Sequence, residues 1–366
     1  MILMNDFKAE PAALRDAMAQ AARRVIDSGW YVLGKEVQSF EQLWADSCGV
    51  AYGVGVGNGM DAIEIALRSL AIGPGDEVIT TPMTAFATVL AVLRAGAVPV
   101  LADIDPGTAL LSIESAQRCI TPRTRAVLLV HLYGQVRQMD AWLALCAHAG
   151  IHLIEDCAQA HLARSGQHMA GSMGKAGAYS FYPTKNLGAL GDGGMLVTHD
   201  AELARLAAQL RNYGQSERYS HPQLGMNSRL DEIQAALLTE RHRWLAEFTE
   251  RRKQVGVSYH AGIRNPLVHL MAPPESNDAH VYHLFVLTSL HRDRLQAHLY
   301  AKGVQALIHY PVPVHHQAPC LDVRRDPQTL THAERHAREC LSLPCNPQLS
   351  DADIDQVIDA VNSFTS

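Results

Sequence analysis

Short apolar segments alternate with helix-like segments through residues 76–214, and this alternation is the strongest constraint on the fold. The strand-like runs are DEVITT (76–81), VPVLADID (98–105), AVLLVHLYG (126–134) and IHLIEDCAQA (151–160). One intervening segment, MDAWLALCAHAG (139–150), is apolar with helical period and ends at a glycine, as helices commonly do. Continuously apolar strands that alternate with helices predict an α/β fold, with a mostly parallel sheet flanked by helices on both faces.

The pattern changes after about residue 240. A long polar helix leads away from the alternating region, and a strand-like run at 280–290, a helix from Asp293 to Gly303 and a last helix from Asp351 follow. The chain has 366 residues, which exceeds one typical domain. The sequence therefore predicts a large domain over residues 1–245 and a smaller α+β C-terminal domain over residues 246–366.

Charge and composition exclude several classes of protein. The net charge is −6, which gives no electrostatic reason to expect a nucleic-acid partner. No apolar run is long enough to span a bilayer, and the first residues lack the hydrophobic stretch of a signal peptide. The seven cysteines are scattered without a CxxC pair, which indicates neither a disulfide framework nor a zinc site. We expect a reduced, cytoplasmic protein without a membrane partner.

A single lysine, Lys185, lies between a strand-like run and a glycine-rich run in SFYPTKNLGALGDGG (180–194). Three roles are open for it from the residues alone. It could be a solvated surface charge, a ligand of a phosphate group, or a desolvated amine whose lowered pKa makes it a nucleophile towards carbonyl compounds.

Two other polar features follow strands, where open parallel sheets bind their ligands. In GNGMDA (57–62), Asn58 is a good N-cap for a helix that begins at Gly59, and the first amides of that helix could hold a phosphate. The alternative is a capped helix without a ligand, and Asp61 favours that alternative unless its carboxylate points away. Asp156 ends the run IHLIED, and it is either a loop cap or a buried carboxylate that needs a cationic partner.

These features, in this order, resemble the DegT/DnrJ/EryC1/StrS sugar aminotransferases. The resemblance rests on SGWYVLGKEVQSFEQLWA (28–45), GDEVITTPMTAFAT, VHLYGQ, IEDCAQAH, SFYPTKNLGALGDGG, LRNYG, GMNSRLDEIQAAL and HYPVPVHHQ, and covers nearly the whole chain. It implies the aspartate-aminotransferase fold (fold type I) and the cofactor pyridoxal 5'-phosphate, with pyridoxamine 5'-phosphate as the intermediate form. Members with histidine at the position of Lys185 are dehydratases, so the lysine here favours amino transfer.

The resemblance also implies the roles of individual residues. Lys185 would attach the cofactor covalently, and Asp156 would pair with its pyridine nitrogen. Gln159 would lie near the phenolic oxygen of the ring. The remaining implied cofactor contacts are Gly59, Met60 and Ser180 at the phosphate, Asn227 at the same phosphate from the neighbouring subunit, and Phe86 at the ring face.

The stacking residue departs from the family pattern. The family usually carries an aromatic residue directly after the first Thr of its TFxAT motif, but TAFAT here places Ala85 in that slot and Phe86 one residue later. Either the loop shifts so that Phe86 stacks on the ring, or another group covers that face.

The resemblance extends to the substrates. The NGMDA, HLYGQ and RNYG segments are similar to those of enzymes that aminate C3 of a dTDP-linked 3-keto-6-deoxyhexose. L-glutamate would be the amino donor, and a homodimer with shared active sites would be the active unit. Candidate walls of the sugar-nucleotide pocket are Tyr182, Arg229, His309, Tyr310 and His315; loop packing and subunit contacts are equally open roles for them.

Three alternatives remain open from the sequence. The enzyme could act on a 4-keto sugar nucleotide or on a ketocyclitol. The chain could also be a non-catalytic regulator that binds pyridoxal phosphate, although such proteins can lose Lys185 or Asp156 and often carry a DNA-binding extension.

His131 and His161 fall near the site by motif position without an assigned role. The paired histidines of HYPVPVHH (309–316) lack a carboxylate or cysteine at metal-ligand spacing, so no metal is expected.

Overall fold

The computed structural model describes residues 1–365, with a large helix-covered sheet and a smaller C-terminal part. The strands are β1 Tyr52–Val56, β2 Glu77–Thr80, β3 Val98–Leu101, β4 Thr124–Val130, β5 His152–Asp156, β6 Arg164–Ser165, β7 His168–Met169, β8 Ala176–Ser180, β9 Gly194–Thr198, β10 His269–Leu270, β11 Phe285–Thr288, β12 Arg324–Arg325 and β13 Cys340–Leu343. The α-helices are α1 Ala12–Ser28, α2 Lys35–Cys48, α3 Gly59–Ser69, α4 Phe86–Arg94, α5 Ile113–Cys119, α6 Met139–Ala149, α7 Ala201–Leu210, α8 Glu232–Gly262, α9 Arg292–Ala301, α10 Thr331–Glu339 and α11 Asp351–Asn362.

The large sheet has eight strands in the order β1-β9-β8-β5-β4-β2-β3-β12. Strands β8, β5, β4, β2, β3 and β12 pair in parallel, whereas β9 runs antiparallel to both of its neighbours, β1 and β8. The prediction of a mostly parallel sheet is confirmed. Because β1 therefore runs in the same direction as β8, the carboxyl ends of seven strands meet at one edge.

The central strand β4 shows how the sequence builds two helix layers. Ala126 and Leu128 pack into one core with α3, α4 and α7. Val127 and Leu129 pack into a second core on the opposite face with α2, α5, α6 and α8. All four side chains are buried, since successive residues of a strand point to opposite faces and both faces are covered.

The C-terminal part has its own antiparallel sheet of three strands, β10-β11-β13. Its core includes Tyr259 of α8, Leu287 of β11, Leu299 of α9 and Val357 of α11, together with Ile2 from the N-terminal segment. The predicted boundary at residue 245 falls inside helix α8, which is continuous through Gly262. The division into domains at that position stays a prediction.

Strand β12 is one of the elements that sequence analysis missed. Arg324 and Arg325 pair with Val100 and Leu101 at the edge of the large sheet, so the C-terminal part contributes a strand to it. The Arg324 guanidinium donates to the buried carboxylate of Glu77 over 2.7 Å. Two residues form this strand, too few for an alternating pattern to reveal it.

Within the described residues, no helix is both long enough and apolar enough to cross a membrane. The seven cysteines are buried as free thiols.

Candidate active site

The polar features of the sequence meet at the carboxyl edge of the large sheet. Asp156 ends β5, Ser180 ends β8, and the loop after β1 leads through Asn58 into α3. Lys185 follows β8 in a tight loop, where its amide donates to the Tyr182 carbonyl over 2.9 Å. Parallel strands bring residues that are far apart in sequence to one edge, which is the usual ligand position in such sheets.

Asp156 is a buried carboxylate without a full set of partners. Its Oδ1 accepts the Ala158 amide over 3.1 Å, and its Oδ2 accepts the Thr88 hydroxyl over 2.8 Å. Burial raises the pKa of this carboxyl group, while the two hydrogen bonds and the nearby Lys185 and His131 act in the opposite direction. A carboxylate in this state is stabilised by an additional cation, such as a protonated pyridine nitrogen.

Thr88 and Thr84 are functional candidates that sequence analysis did not single out. Thr88 lies in the first turn of α4, and Thr84 lies just before the helix. Both residues are buried, and their hydroxyl oxygens lie 2.7 Å apart. Since the Thr88 proton is given to Asp156, Thr84 must donate to Thr88. The TAFAT segment therefore supplies a chain of two hydroxyls that ends on the Asp156 carboxylate, and the spacing of its two threonines was the available signal.

Replacement of Thr88 by valine is expected to weaken cofactor binding and to lower kcat/KM by about 10- to 100-fold, the range seen when a partner of a functional ligand is lost. The change keeps the shape but removes the one side-chain donor that the described residues give to Asp156. Cofactor affinity is measured by quenching of protein fluorescence. Thr88→Ser keeps the hydroxyl and should restore affinity, whereas wild-type affinity and an unchanged pH profile in Thr88→Val would contradict the role.

Lys185 lies half-buried in the cleft formed by these loops. Burial lowers the pKa of its ammonium group from 10.5 to about 8, and the Asp156 carboxylate acts in the opposite direction. The fraction of neutral amine near neutral pH is therefore far larger than for an exposed lysine. Of the three roles left open, a solvated surface charge does not agree with this environment, whereas a nucleophile does.

Three histidines surround Lys185 and stay uncharged. Burial lowers the pKa of His161 to about 3 and of His309 to about 4, and it also lowers the pKa of His283; the Lys185 charge adds to each effect. His283 Nδ1 lies 3.0 Å from Oδ1 of Asn186, and Asn186 is the residue that follows Lys185 in the chain. Neutral rings leave the lysine as the main basic group of the cleft.

His161 is buried among aromatic rings, and within the described part of the chain neither of its ring nitrogens makes a hydrogen bond of ordinary geometry. The Ser180 backbone lies nearby and raises the pKa of the ring, against the larger effect of burial. His131 has a different role, because its Nε2 lies 2.8 Å from Glu155 Oε2. Glu155 also accepts three backbone amides, so this pair fixes the strand ends. Cys157 completes a His–Glu–Cys group there, but the saturated carboxylate has no capacity left for a metal.

The N-terminus of α3 forms a close-packed cradle. A Cβ on Gly59 would lie 2.7 Å from Ser180 Cβ, and one on Gly194 would lie 2.3 Å from the Asn58 carbonyl carbon, so only glycine allows these approaches. The amides of Gly59 and Met60 belong to the first helical turn, whose donors lack partners within the helix. The cradle can therefore receive an anion beside Ser180.

The Asp61 carboxylate does not oppose an anion there. Its Oδ2 accepts from the Asn58 side chain over 3.0 Å, and its Oδ1 lies 3.5 Å from the Arg94 guanidinium. Asn58 Oδ1 in turn accepts the Asp61 amide over 2.8 Å, as predicted for an N-cap. The charge of Asp61 is thus compensated by its contacts with Asn58 and Arg94.

Gln159 is fixed at both ends of its amide. Its Oε1 accepts the Tyr133 amide over 2.6 Å, and its Nε2 donates to the Tyr310 hydroxyl over 3.3 Å. Burial raises the pKa of Tyr310 to about 12, and the negative charge of Asp156 adds to the effect, which places Tyr310 beside that carboxylate. His309 Nδ1 lies 2.8 Å from Ser342 Oγ, so the 309–310 loop forms one wall of the cleft.

The other predicted residues have less support in the structure. Phe86 is the first residue of α4 and, like Tyr310, packs partly buried against the core that contains Tyr133, so its stacking role stays a prediction. Asn227 and Tyr182 are exposed, and Arg229 is half-buried. His315 is fully buried with its Nε2 3.1 Å from Glu334 Oε1, and no contact connects it with Lys185.

The buried carboxylate, the lysine of lowered pKa and the glycine cradle fit pyridoxal phosphate, whose ring nitrogen, carbonyl carbon and phosphate need these three partners. They define a pyridoxal-phosphate-dependent aminotransferase, which is the class of this enzyme. Residues 13–362 match the model of the DegT/DnrJ/EryC1/StrS aminotransferase family, and the chain belongs to that family.

Known proteins resemble this chain over nearly its whole length. The dTDP-3-amino-3,4,6-trideoxy-alpha-D-glucose transaminase of Streptomyces venezuelae is 44% identical, over 98% of this chain and 95% of that protein. The UDP-N-acetyl-3-dehydro-alpha-D-glucosamine 3-aminotransferase of Acidithiobacillus ferrooxidans is 40% identical, over 97% and 96%. The crystal structure of S. venezuelae DesV with a ketimine intermediate superposes with a TM-score of 0.95 at 44% identity, over 99% of this chain and 97% of that one. The predicted fold type and family are confirmed.

Proposed function

We propose that the enzyme transfers the amino group of L-glutamate to C3 of a dTDP-linked 3-keto-6-deoxyhexose. The observation that carries this proposal is the 44% identity, over 98% of the chain, to a transaminase named for a dTDP-3-amino sugar. Lys185 and Asp156 are both present in the cleft, which favours an enzyme over a non-catalytic regulator. When bound, pyridoxal phosphate supplies a ring that accepts electrons and carries the amino group between the two substrates.

In this proposal, each residue of the cleft has a separate role. Lys185 removes a proton from the α-carbon of glutamate and returns a proton to C3 of the sugar in the second half of the reaction. A pKa of about 8 suits both tasks, since a group that gains and loses a proton works best near the ambient pH. Asp156, oriented by Thr88, would balance the positive charge of the ring nitrogen, and Gln159 would lie at the phenolic oxygen.

The proposed sugar-nucleotide pocket lies on the open side of the same cleft. Tyr182 is exposed beside Lys185, and Arg229 is held by Asn212 Oδ1 over 3.1 Å with its guanidinium 5.1 Å from the centre of the Tyr213 ring. An arginine oriented this way can bind the diphosphate of a nucleotide sugar. His309 and Tyr310 would form another wall of this pocket.

An exposed apolar surface supports a homodimer with shared active sites. Trp30, Tyr31 and Leu190 are 63%, 55% and 60% exposed. All three lie at the start of α8, because the Glu232 amide bonds to the Tyr31 carbonyl, the Glu232 carboxylate lies beside Trp30, and Gln234 holds the Leu190 amide. An apolar patch of this kind typically marks an interface. Asn227 lies a few residues before α8, where it could reach the phosphate site of a partner subunit.

Subunit mixing tests the shared site. Lys185→Ala and Asn227→Asp are each expected to be inactive alone, because each homodimer carries two damaged sites. If Asn227 acts across the interface, a mixed dimer contains one site with both wild-type residues, and activity should return to about a quarter of the wild-type level in a random mixture. Absence of any recovery after proven subunit exchange would assign Asn227 to its own subunit.

Product analysis tests the substrate. The cofactor-loaded enzyme is incubated with L-glutamate and one of three acceptors: a dTDP-3-keto-6-deoxyhexose, a UDP-linked 3-keto-N-acetylglucosamine and a dTDP-4-keto-6-deoxyhexose. We expect kcat/KM for the first to exceed the others by about 100-fold or more, since polar contacts to base and sugar are lost in the wrong substrate. NMR should locate the new amine at C3. Preference for the UDP-sugar, favoured by the second relative, or an amine at C4 would overturn the proposal.

A further inference from the structure

We infer that His315, His316 and Glu334 form a binding site for a divalent transition metal of the zinc class, at the outer side of the cleft wall. The site is separate from the proposed chemistry, because none of the three residues contacts Lys185 or Asp156 among the contacts of the described chain. It brings together a loop and a helix, with His316 and Glu334 lying 18 residues apart in sequence.

Two structural elements hold the three side chains in place. His315 and His316 end a short 3-10 turn, Val314–His316, whose first amide donates to the Pro82 carbonyl over 3.0 Å. Glu334 lies in the first turn of α10. Both backbones are ordered by their own hydrogen bonds, so metal binding would require only side-chain movement.

The distances suit a small metal ion. His315 Nε2 lies 3.1 Å and His316 Nε2 lies 3.8 Å from Glu334 Oε1, and the three potential ligand atoms are all within 4.8 Å of one another. A tetrahedral zinc ion with bonds of about 2.0–2.2 Å keeps its ligand atoms roughly 3.3 Å apart. Shifts of an ångström or less would therefore complete the geometry. A plain histidine–carboxylate ion pair explains the first distance but not the second histidine.

The ligand types select the metal class. Two imidazoles and one carboxylate suit Zn²⁺, Co²⁺, Ni²⁺ and Cu²⁺, whereas Mg²⁺ and Ca²⁺ prefer oxygen ligands alone. Metals bind the neutral form of histidine.

Exposure and neighbouring groups set the strength of binding. The side chains of His316 and Glu334 are 52% and 38% exposed, which leaves an open position for water and a route for exchange. His315 Nδ1 is buried and has no hydrogen-bond partner among residues 1–365, so these residues do not supply the outer hydrogen bond that usually supports a metal-bound histidine. The positive charge of Arg325 also lies near. These features predict an exchangeable site of micromolar affinity rather than a tight structural one.

Metal binding would connect the cleft wall to α10. The loop that carries His309 and Tyr310 continues directly into the Val314–His316 turn. On the helix side, His336 Nε2 of α10 lies 2.9 Å from the Tyr133 hydroxyl, and that hydroxyl donates to the His309 carbonyl over 2.6 Å. A metal would add a second link between the same loop and the same helix, and should stabilise both.

Calorimetric titration of Zn²⁺ into tag-free, chelator-treated, cofactor-loaded enzyme tests the site. We expect one equivalent per chain with a Kd of about 1–50 µM, as suits an incomplete ligand set, and a higher Tm in the presence of metal. Co²⁺ in place of Zn²⁺ should give the visible absorption of a nitrogen- and oxygen-ligated ion. His316→Ala and Glu334→Gln should each weaken binding by about tenfold or more.

His332→Ala is the matched control, because His332 is an exposed histidine on the same helix. Its removal should leave both the affinity and the stoichiometry unchanged. Equal Zn²⁺ binding by the wild-type enzyme, His316→Ala and Glu334→Gln would overturn the inference, and so would absence of binding at 100 µM Zn²⁺. Neither result would affect the proposed amino transfer, because the titration does not measure turnover.

Discussion

The variant Lys185→Ala is expected to lose amino transfer, with kcat/KM lower by about 10⁴-fold or more, since it removes both the point of cofactor attachment and a positioned base. Borohydride treatment of wild-type enzyme followed by mass spectrometry should find the cofactor fixed to the peptide that contains residue 185. The same treatment of Lys185→Ala should leave no cofactor covalently attached to the protein. Lys175→Ala is the matched control, because Lys175 is a partly exposed lysine paired with Asp200.

The pH dependence of attachment follows from the lowered pKa. Only the neutral amine reacts with a carbonyl compound, and a pKa of about 8 leaves roughly one lysine in ten neutral at pH 7, compared with about one in three thousand at 10.5. The rate at which unloaded enzyme takes up the cofactor should therefore rise from pH 6.5 and level off above about pH 8.5. A rate that still rises steeply beyond pH 9.5 would show that burial does not lower this pKa.

The parts of the site that could be predicted from the sequence are those carried by local patterns. The apolar runs place Asp156 and Ser180 at strand ends, and Asn58 caps α3 as its residue type indicates. Each of these residues is indicated by a few consecutive positions of the sequence. Parallel pairing of the strands then brings the residues to one edge of the sheet. The family resemblance supplied the cofactor, which no local pattern contains.

The parts that could not be predicted depend on contacts between distant segments. The Thr84–Thr88 chain is visible only once α4 is placed against β5, and His283 reaches Lys185 across about 100 residues of sequence. The lowered pKa of Lys185 is likewise a property of the assembled cleft. His315 also depends on a distant contact, because its motif left a substrate contact and loop packing equally open and the structure pairs the side chain with Glu334.

The variant Asp156→Asn is expected to separate catalysis from stability. An asparagine has nearly the same shape but cannot balance a positive charge on the ring nitrogen. Removal of one partner of a buried ion pair costs about 3–5 kcal/mol, which corresponds to roughly 10²- to 10⁴-fold in kcat/KM. Thr88 would remain in place to hold the amide, so the loss is one of charge rather than of position.

Without the cofactor, Asp156→Asn should not destabilise the protein. Burial raises the pKa of Asp156 above that of an exposed carboxyl group, so the ionised form destabilises the folded state once the pH exceeds both values. At pH 7, Asp156→Asn should therefore leave the Tm of the unloaded protein unchanged or higher, while the rise in Tm on cofactor binding becomes smaller.

Glu155→Gln is the contrasting variant, because the Glu155 carboxylate accepts three backbone amides and its pKa is lowered. That change should lower the Tm with or without the cofactor. A fall in the Tm of unloaded Asp156→Asn as large as that of Glu155→Gln would mean that Asp156 serves the fold rather than the cofactor.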